Sequence, residues 1–195
     1  DNGTLKVSIN KNTGLIESLI IDSKEYLENQ INANFTLNNY DPWGFFYDDN
    51  KTKLGSFKLM TDEEVKKFTD VSSGKNINII EDGEIRTVVQ AFFKFNESKL
   101  VLNYIIPKKG KLFKIDMTLL NLERDVKIKL SIPTTLKNDK YYGKTAFGIN
   151  EMPADGNEKV AQEYLYITDR DKTLGLINFG NYGSDCINGS INQTL

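Results

Sequence analysis

Apolar and polar residues alternate with a period of two along most of this chain, and that period belongs to strands rather than helices. Leu5, Val7 and Ile9 alternate with Lys6 and Ser8. Ile31, Ala33, Phe35 and Leu37 alternate with Asn32, Asn34 and Thr36, and Ile128, Leu130 and Ile132 with Lys127, Lys129 and Ser131 before Pro133 ends the run. Successive side chains of a strand point to opposite faces. Each run therefore predicts one buried and one wet face in an antiparallel sheet. The turn cluster Asn10–Gly14 between Leu5–Ile9 and Leu15–Ile21 predicts a hairpin. Ile85–Phe95 and Leu112–Leu122 are apolar on both faces, which predicts strands covered on both sides and hence two packed sheets. A buried helix is the alternative for Leu112–Leu122, but Lys111, Lys114 and Asp116 fit a 3.6 period poorly. The one helical signal is Thr61-Asp62-Glu63-Glu64, a capping box followed by Val65 and Phe68 on one face. The expected fold is all-β, a two-layer antiparallel β-sandwich, and 195 residues predict a single domain over 1–195.

Composition narrows the chemistry. The chain has no histidine, which removes a histidine general base, a Ser-His or Cys-His nucleophile pair and histidine-ligated zinc within these residues. A net charge of −2 disfavours a nucleic-acid partner, which needs basic residues for phosphate contacts. No apolar run reaches the ~18–20 residues of a membrane span, so no membrane partner is expected. The single cysteine, Cys186, can form no internal disulfide and has no neighbouring base, so it reads as an inert, partly buried thiol. Asp1-Asn2-Gly3-Thr4 shows no leader pattern, and the Asn, Lys and Ile abundance resembles an AT-rich bacterial genome. A cytoplasmic location in a bacterium is the resulting expectation.

Two long segments break the alternation, 38–55 and 138–157, and loops of this length are usually functional or interfacial. The first holds Tyr40, Asp41, the only tryptophan, Trp43, and then Phe45, Phe46, Tyr47, Asp48 and Asp49. Carboxylates beside an aromatic ring can hold a sugar; equally, the aromatics can plug the domain's own core while the aspartates cap turns. The carboxylate spacing is not that of a calcium loop. It also gives no spatial separation from which to argue a glycosidase pair. Farther on, Asp82-Gly83 predicts a two-residue hairpin turn. Arg86 follows it into an apolar strand, where a buried arginine needs a partner: Glu81, Glu84 or Asp116. Arg86 and Glu81 are thus read as structural.

Taken in order, several strings become specific together: Leu5-x-Val7-x-Ile9, Thr13-Gly14-x-Ile16, Asp41-Pro42-Trp43-Gly44, Ile80 to Val89, Lys127 to Pro133, Gly148-x-x-Glu151-Met152-Pro153, Val160-Ala161-Gln162 and Asn178-x-Gly180-x-Tyr182-Gly183. Their order and spacing resemble the C-terminal β-rich region of the glycoside hydrolase family 38 α-mannosidases, bacterial members above all. The resemblance implies a supersandwich similar to galactose mutarotase. It also implies that an N-terminal barrel with zinc, an aspartate nucleophile and an acid/base carboxylate, then a helical bundle, lie elsewhere in the same polypeptide as its partners. This chain would then be a non-catalytic part, an excised piece of a longer enzyme acting on a mannose-containing oligosaccharide. Tyr40, Asp41, Trp43, Asp48 and Glu151 would be its candidate carbohydrate or interdomain contacts, with the Tyr40–Asp49 loop facing the catalytic portion. In some relatives an arginine reaches toward the active site from the region matching Tyr142–Glu151; here that stretch has none. The alternative is a stand-alone carbohydrate-binding or structural module. A mutarotase is disfavoured because its chemistry needs histidine.

Overall fold

The structure is a computed structural model that describes residues 1–38, 52–70 and 74–195. Among these residues there are eighteen strands and one short helix, numbered below in chain order. The chain divides into two compact units, residues 1–25 with 56–124 and residues 26–55 with 125–195.

The first unit holds two antiparallel sheets. The smaller pairs β1 (Leu5–Ile9), β2 (Ile16–Ile21) and β3 (Lys24–Glu25). The expected hairpin is β1–β2, and its turn forms because the Asn10 side-chain oxygen accepts from the Asn12 and Thr13 amides. Gly14 then takes a positive φ of 70°, with Leu59 and Phe93 where a side chain would stand. The larger sheet centres on β8 (Arg86–Phe95) and β9 (Ser98–Pro107), with β10 (Lys114–Leu120) on the far edge of β9. β6 (Lys58–Leu59) and β7 (Ile77–Asp82) share the other edge of β8.

Register places Val89, Ala91 and Phe93 of β8 on the same face as Tyr104, Leu102 and Leu100 of β9. The β1–β2 turn lies against this face: the buried Tyr104 hydroxyl donates to the Gly14 carbonyl oxygen at 2.9 Å. The opposite face carries Phe92, which packs with Met60, Val101 and Val65 of α1 (Asp62–Phe68). Thr61 caps this helix by accepting from the Glu64 amide, while Glu64 accepts from the Thr61 amide. The doubly apolar β8 is therefore covered by a sheet on one side and by a helix on the other.

Two expectations are corrected here. Asp82-Gly83 is not the centre of its turn: the β7 bulge sets Asp82 opposite Thr87, and the Gly83 amide donates to the Arg86 carbonyl oxygen, which puts Glu84 and Ile85 at the centre. The Leu112–Leu122 run does form a strand, β10, but as an edge strand it is covered on one face only, leaving Leu120 exposed.

The second unit also holds two sheets. One orders β14 (Lys159–Val160), β17 (Gly183–Ile187), β18 (Ser190–Thr194), β11 (Val126–Pro133), β4 (Asn32–Leu37) and β5 (Lys53–Ser56). The other orders β13 (Gly148–Pro153), β12 (Lys140–Thr145), β15 (Tyr164–Asp169) and β16 (Lys172–Ile177). The apolar face of the first sheet carries Phe35, Ile128, Leu130, Ile132 and Ile191. It meets the inner face of the second, where the buried Tyr141 hydroxyl donates to the Ser184 carbonyl oxygen at 3.2 Å. Gly143 of β12 is in close quarters, since a side chain there would strike Ala161 and Met152.

No helix among the described residues is long and apolar enough to cross a membrane.

Candidate functional site

Tyr40, Asp41, Trp43 and Asp48 lie outside the described residues. Glu151 sits on β13, where pairing brings it opposite Tyr142. Its carboxylate accepts from Lys140 at 2.6 Å and from the Tyr142 hydroxyl at 3.3 Å. The Lys140 hydrogen bond holds Glu151 below the usual carboxylate range. Tyr142 stacks on its cross-strand neighbour Tyr166, with ring centroids 5.0 Å apart and planes 14° from parallel.

Arg86 does not enter the core. It is exposed and forms a two-point ion pair with Glu81, Nε at 2.8 Å and Nη2 at 2.9 Å. The reason is registry: after the β7 bulge, Glu81 sits opposite Val88 on the Arg86 side of the sheet. Of the three partners considered for Arg86, the structure selects Glu81. Glu81 is held below its ordinary pKa by the Arg86 hydrogen bond.

A different cluster is the most concentrated charge site among the described residues. The alternation on β11 and β4 leads one to expect a wet face, but that face is polar and buried. Lys129 donates to Asp185 and, at 2.5 Å, to Glu158. Lys127 approaches the same Glu158 oxygen at 3.5 Å. Thr194 donates its hydroxyl to the other Glu158 oxygen. Asn192 donates to Asp185 at 2.7 Å, and its own side-chain oxygen accepts from Ser131 at 2.7 Å.

β11, β17 and β18 supply these groups in register, Lys129 opposite Thr194 and Asp185 opposite Asn192. Glu158 arrives from the segment leading into β14, which runs along the β17 edge through the Asp155–Ile187 bridge. Gly183 makes the approach possible, because a side chain there would occupy the space of the Glu158 carboxylate and of Thr194.

Burial opposes ionisation of Glu158, yet Lys129, the Thr194 hydroxyl and Lys127 together outweigh it and hold the carboxyl below its usual range. Burial lowers the Lys127 pKa despite the pull of Glu158. Two carboxylates sit between two ammonium groups, and each of the four carboxylate oxygens accepts from a partner within the cluster.

Sequence reasoning missed this cluster because Lys127 and Lys129 read as solvent-facing residues of a half-buried strand. The available signal was position: a strand flanked by two others and apolar at every second residue belongs in the middle of a sheet. Nearby, burial drives the Cys186 thiol up to about 11, in keeping with an inert thiol. Among the described residues, no group of three or more Cys, Asp or Glu side chains is placed to hold a metal ion.

The chain matches the model of the glycosyl hydrolases family 38 C-terminal domain over residues 1–195. It is 27% identical to an alpha-mannosidase of Saccharomyces cerevisiae, a match covering 93% of this chain and 18% of the yeast protein. It superposes on the crystal structure of an alpha-mannosidase from Enterococcus faecalis V583 with a TM-score of 0.79 and 13% identity, covering all of this chain and 25% of that one. A second Enterococcus faecalis structure, of a protein in glycosyl hydrolase family 38, gives the same TM-score and identity and is covered to 26%. The chain thus spans about a fifth to a quarter of the length of these relatives.

Proposed function

The chain belongs to the glycosyl hydrolase family 38 C-terminal domains, and from that premise we propose that it is the non-catalytic, β-rich part of a longer α-mannosidase-like hydrolase. The observation that carries this reading is the family match over every residue of a chain that spans only 18–26% of its relatives. The chemistry agrees. The chain has no histidine, and its buried carboxylates are committed to ammonium partners.

In this reading zinc and the reacting carboxylates belong to the rest of the polypeptide; among the described residues no group of three or more Cys, Asp or Glu side chains is placed to hold a metal ion. The chain's antiparallel sheets support the catalytic part. Tyr40, Asp41, Trp43, Asp48 and Glu151 are the candidate contacts to that part or to a mannose-containing oligosaccharide, while Arg86 and Glu81 are structural. The protein is cytoplasmic.

The test uses the full-length protein and a chromogenic α-mannoside. The full-length protein is expected to hydrolyse it and the 195-residue chain to leave it intact. A folded full-length protein without α-mannosidase activity, or hydrolysis by the 195-residue chain alone, would overturn the proposal.

A further inference from the structure

One end of the second unit gathers large apolar side chains at its surface. The β12–β13 turn closes at the Thr145–Gly148 pair and projects Phe147 wholly into solvent. Ile149 follows on the exposed face, opposite Lys144. Ile177 lies at the end of β16, opposite Tyr164. Beyond it, Phe179 stands almost entirely in solvent and Tyr182 about half so.

Backbone bonds tie these segments into one surface. The Gln162 amide donates to the Lys144 carbonyl, the Asn178 amide to the Glu163 carbonyl, and the Ala161 amide to the Tyr182 carbonyl. Five of the exposed large apolar residues of this unit, Phe147, Ile149, Ile177, Phe179 and Tyr182, therefore gather at one end. The nearest charges on it, Lys144 and Glu163, pair with each other at 3.1 Å.

Single exposed apolar residues are ordinary, whereas five gathered at one end with aromatic members mark an interface. We infer that this end of the unit, centred on Phe147 and Phe179, docks against an apolar surface of the same polypeptide outside these 195 residues. The inference rests on the reading that the chain is one domain of a longer protein. It names a contact surface that this reading does not require.

The length of the relatives argues for this occupant. The matched part is 18% of one relative and 25% of another, so most of their polypeptide lies outside it, and a tethered segment meets the surface at an effective concentration in the millimolar range, ahead of any second molecule. A sugar is a poorer fit, because the carboxylate at this end, Glu163, already faces Lys144.

The test places a photo-crosslinker at the exposed position, Phe147→p-benzoylphenylalanine, in the full-length protein, with Phe179→p-benzoylphenylalanine as an independent second variant. Both replaced side chains stand in solvent, so folding is not at stake, and circular dichroism checks it. Irradiation is expected to join position 147 or 179 to a peptide outside residues 1–195, with a yield unchanged on tenfold dilution. Adducts confined to residues 1–195, a crosslinked dimer that vanishes on dilution, or no adduct from either folded variant would each overturn the inference. α-Mannosidase activity of the same preparations is read separately. Its absence would sink the functional proposal and leave the adduct map standing.

Discussion

Among the described residues both units carry ion pairs at the surface, and the second also buries a cluster of them. In the first, Arg86–Glu81, Lys108–Asp82 and Lys111–Asp22 lie at the surface, the Arg86 and Glu81 side chains being 49% and 42% exposed. In the second, Lys129, Asp185 and Glu158 form ion pairs of similar length, with side chains only 7%, 8% and 11% exposed. Surface pairs are solvated in both states and contribute little. A buried pair repays its own desolvation only while complete, so its loss leaves a naked charge. The worth of an ion pair is therefore set by the position of its strand in the sheet, not by its geometry alone. Arg86 stands at the start of β8, beside the turn; Lys129 is in β11, with β18 and β4 on its two sides.

The largest expected effect follows from that contrast. Lys129→Ala leaves Asp185 and Glu158 buried without their shared ammonium. This should cost about 3–5 kcal/mol, which at ~2–4 °C per kcal/mol is a fall of roughly 10 °C in melting temperature. A drop within ~2 °C, measured by differential scanning calorimetry, would erase the distinction between the units.

Acid should expose the same cluster next. The folded pKa of Glu158 is depressed, so its stabilising contribution is complete above the ordinary value of 4.5 and is lost as pH falls through the lower folded value. At high salt, where surface pairs are screened, the melting temperature of Glu158→Gln should fall less steeply below pH 4.5 than that of the parent. Parallel curves would show that Glu158 is not the group being titrated.

A smaller effect sharpens the comparison from within the first unit. Tyr104→Phe removes the buried hydroxyl that donates to Gly14 and should cost about 1–2 kcal/mol by chemical denaturation. That places a single neutral buried bond above any of the unit's surface ion pairs. The smallest effect is Arg86→Ala, with the melting temperature expected to hold within about 2 °C. A large loss would mean that Arg86 acts in the core after all.

These contrasts also explain what could be read beforehand. The period of two made β1, β4 and β11 legible, because side-chain alternation is a property of the strand itself; β2 was read from the turn cluster before it and β8 from a run apolar on both faces. The capping box at Thr61–Glu64 was legible because both hydrogen bonds lie within four residues. Coverage was legible for β8 but not for β10 or for the polar face of β11. Whether Lys129 meets water or Asp185 depends on a strand 56 residues away, and Arg86 looked buried only because its neighbours are apolar. The site reading shared that limit. Glu151 was identified as a candidate, but its commitment to Lys140 and Tyr142 depends on hairpin register. The cluster built around Glu158 depends on Gly183 leaving room across a sheet edge.

The central claim is that this domain's buried charges hold the fold and perform no chemistry. One measurement tests it most directly: kcat for a chromogenic α-mannoside in the full-length protein carrying Lys129→Ala, taken well below its melting temperature and set beside that temperature. The account predicts a melting temperature lowered by roughly 10 °C with kcat within about twofold of the parent. A kcat reduced a hundredfold or more in a protein whose melting temperature has not moved would contradict it.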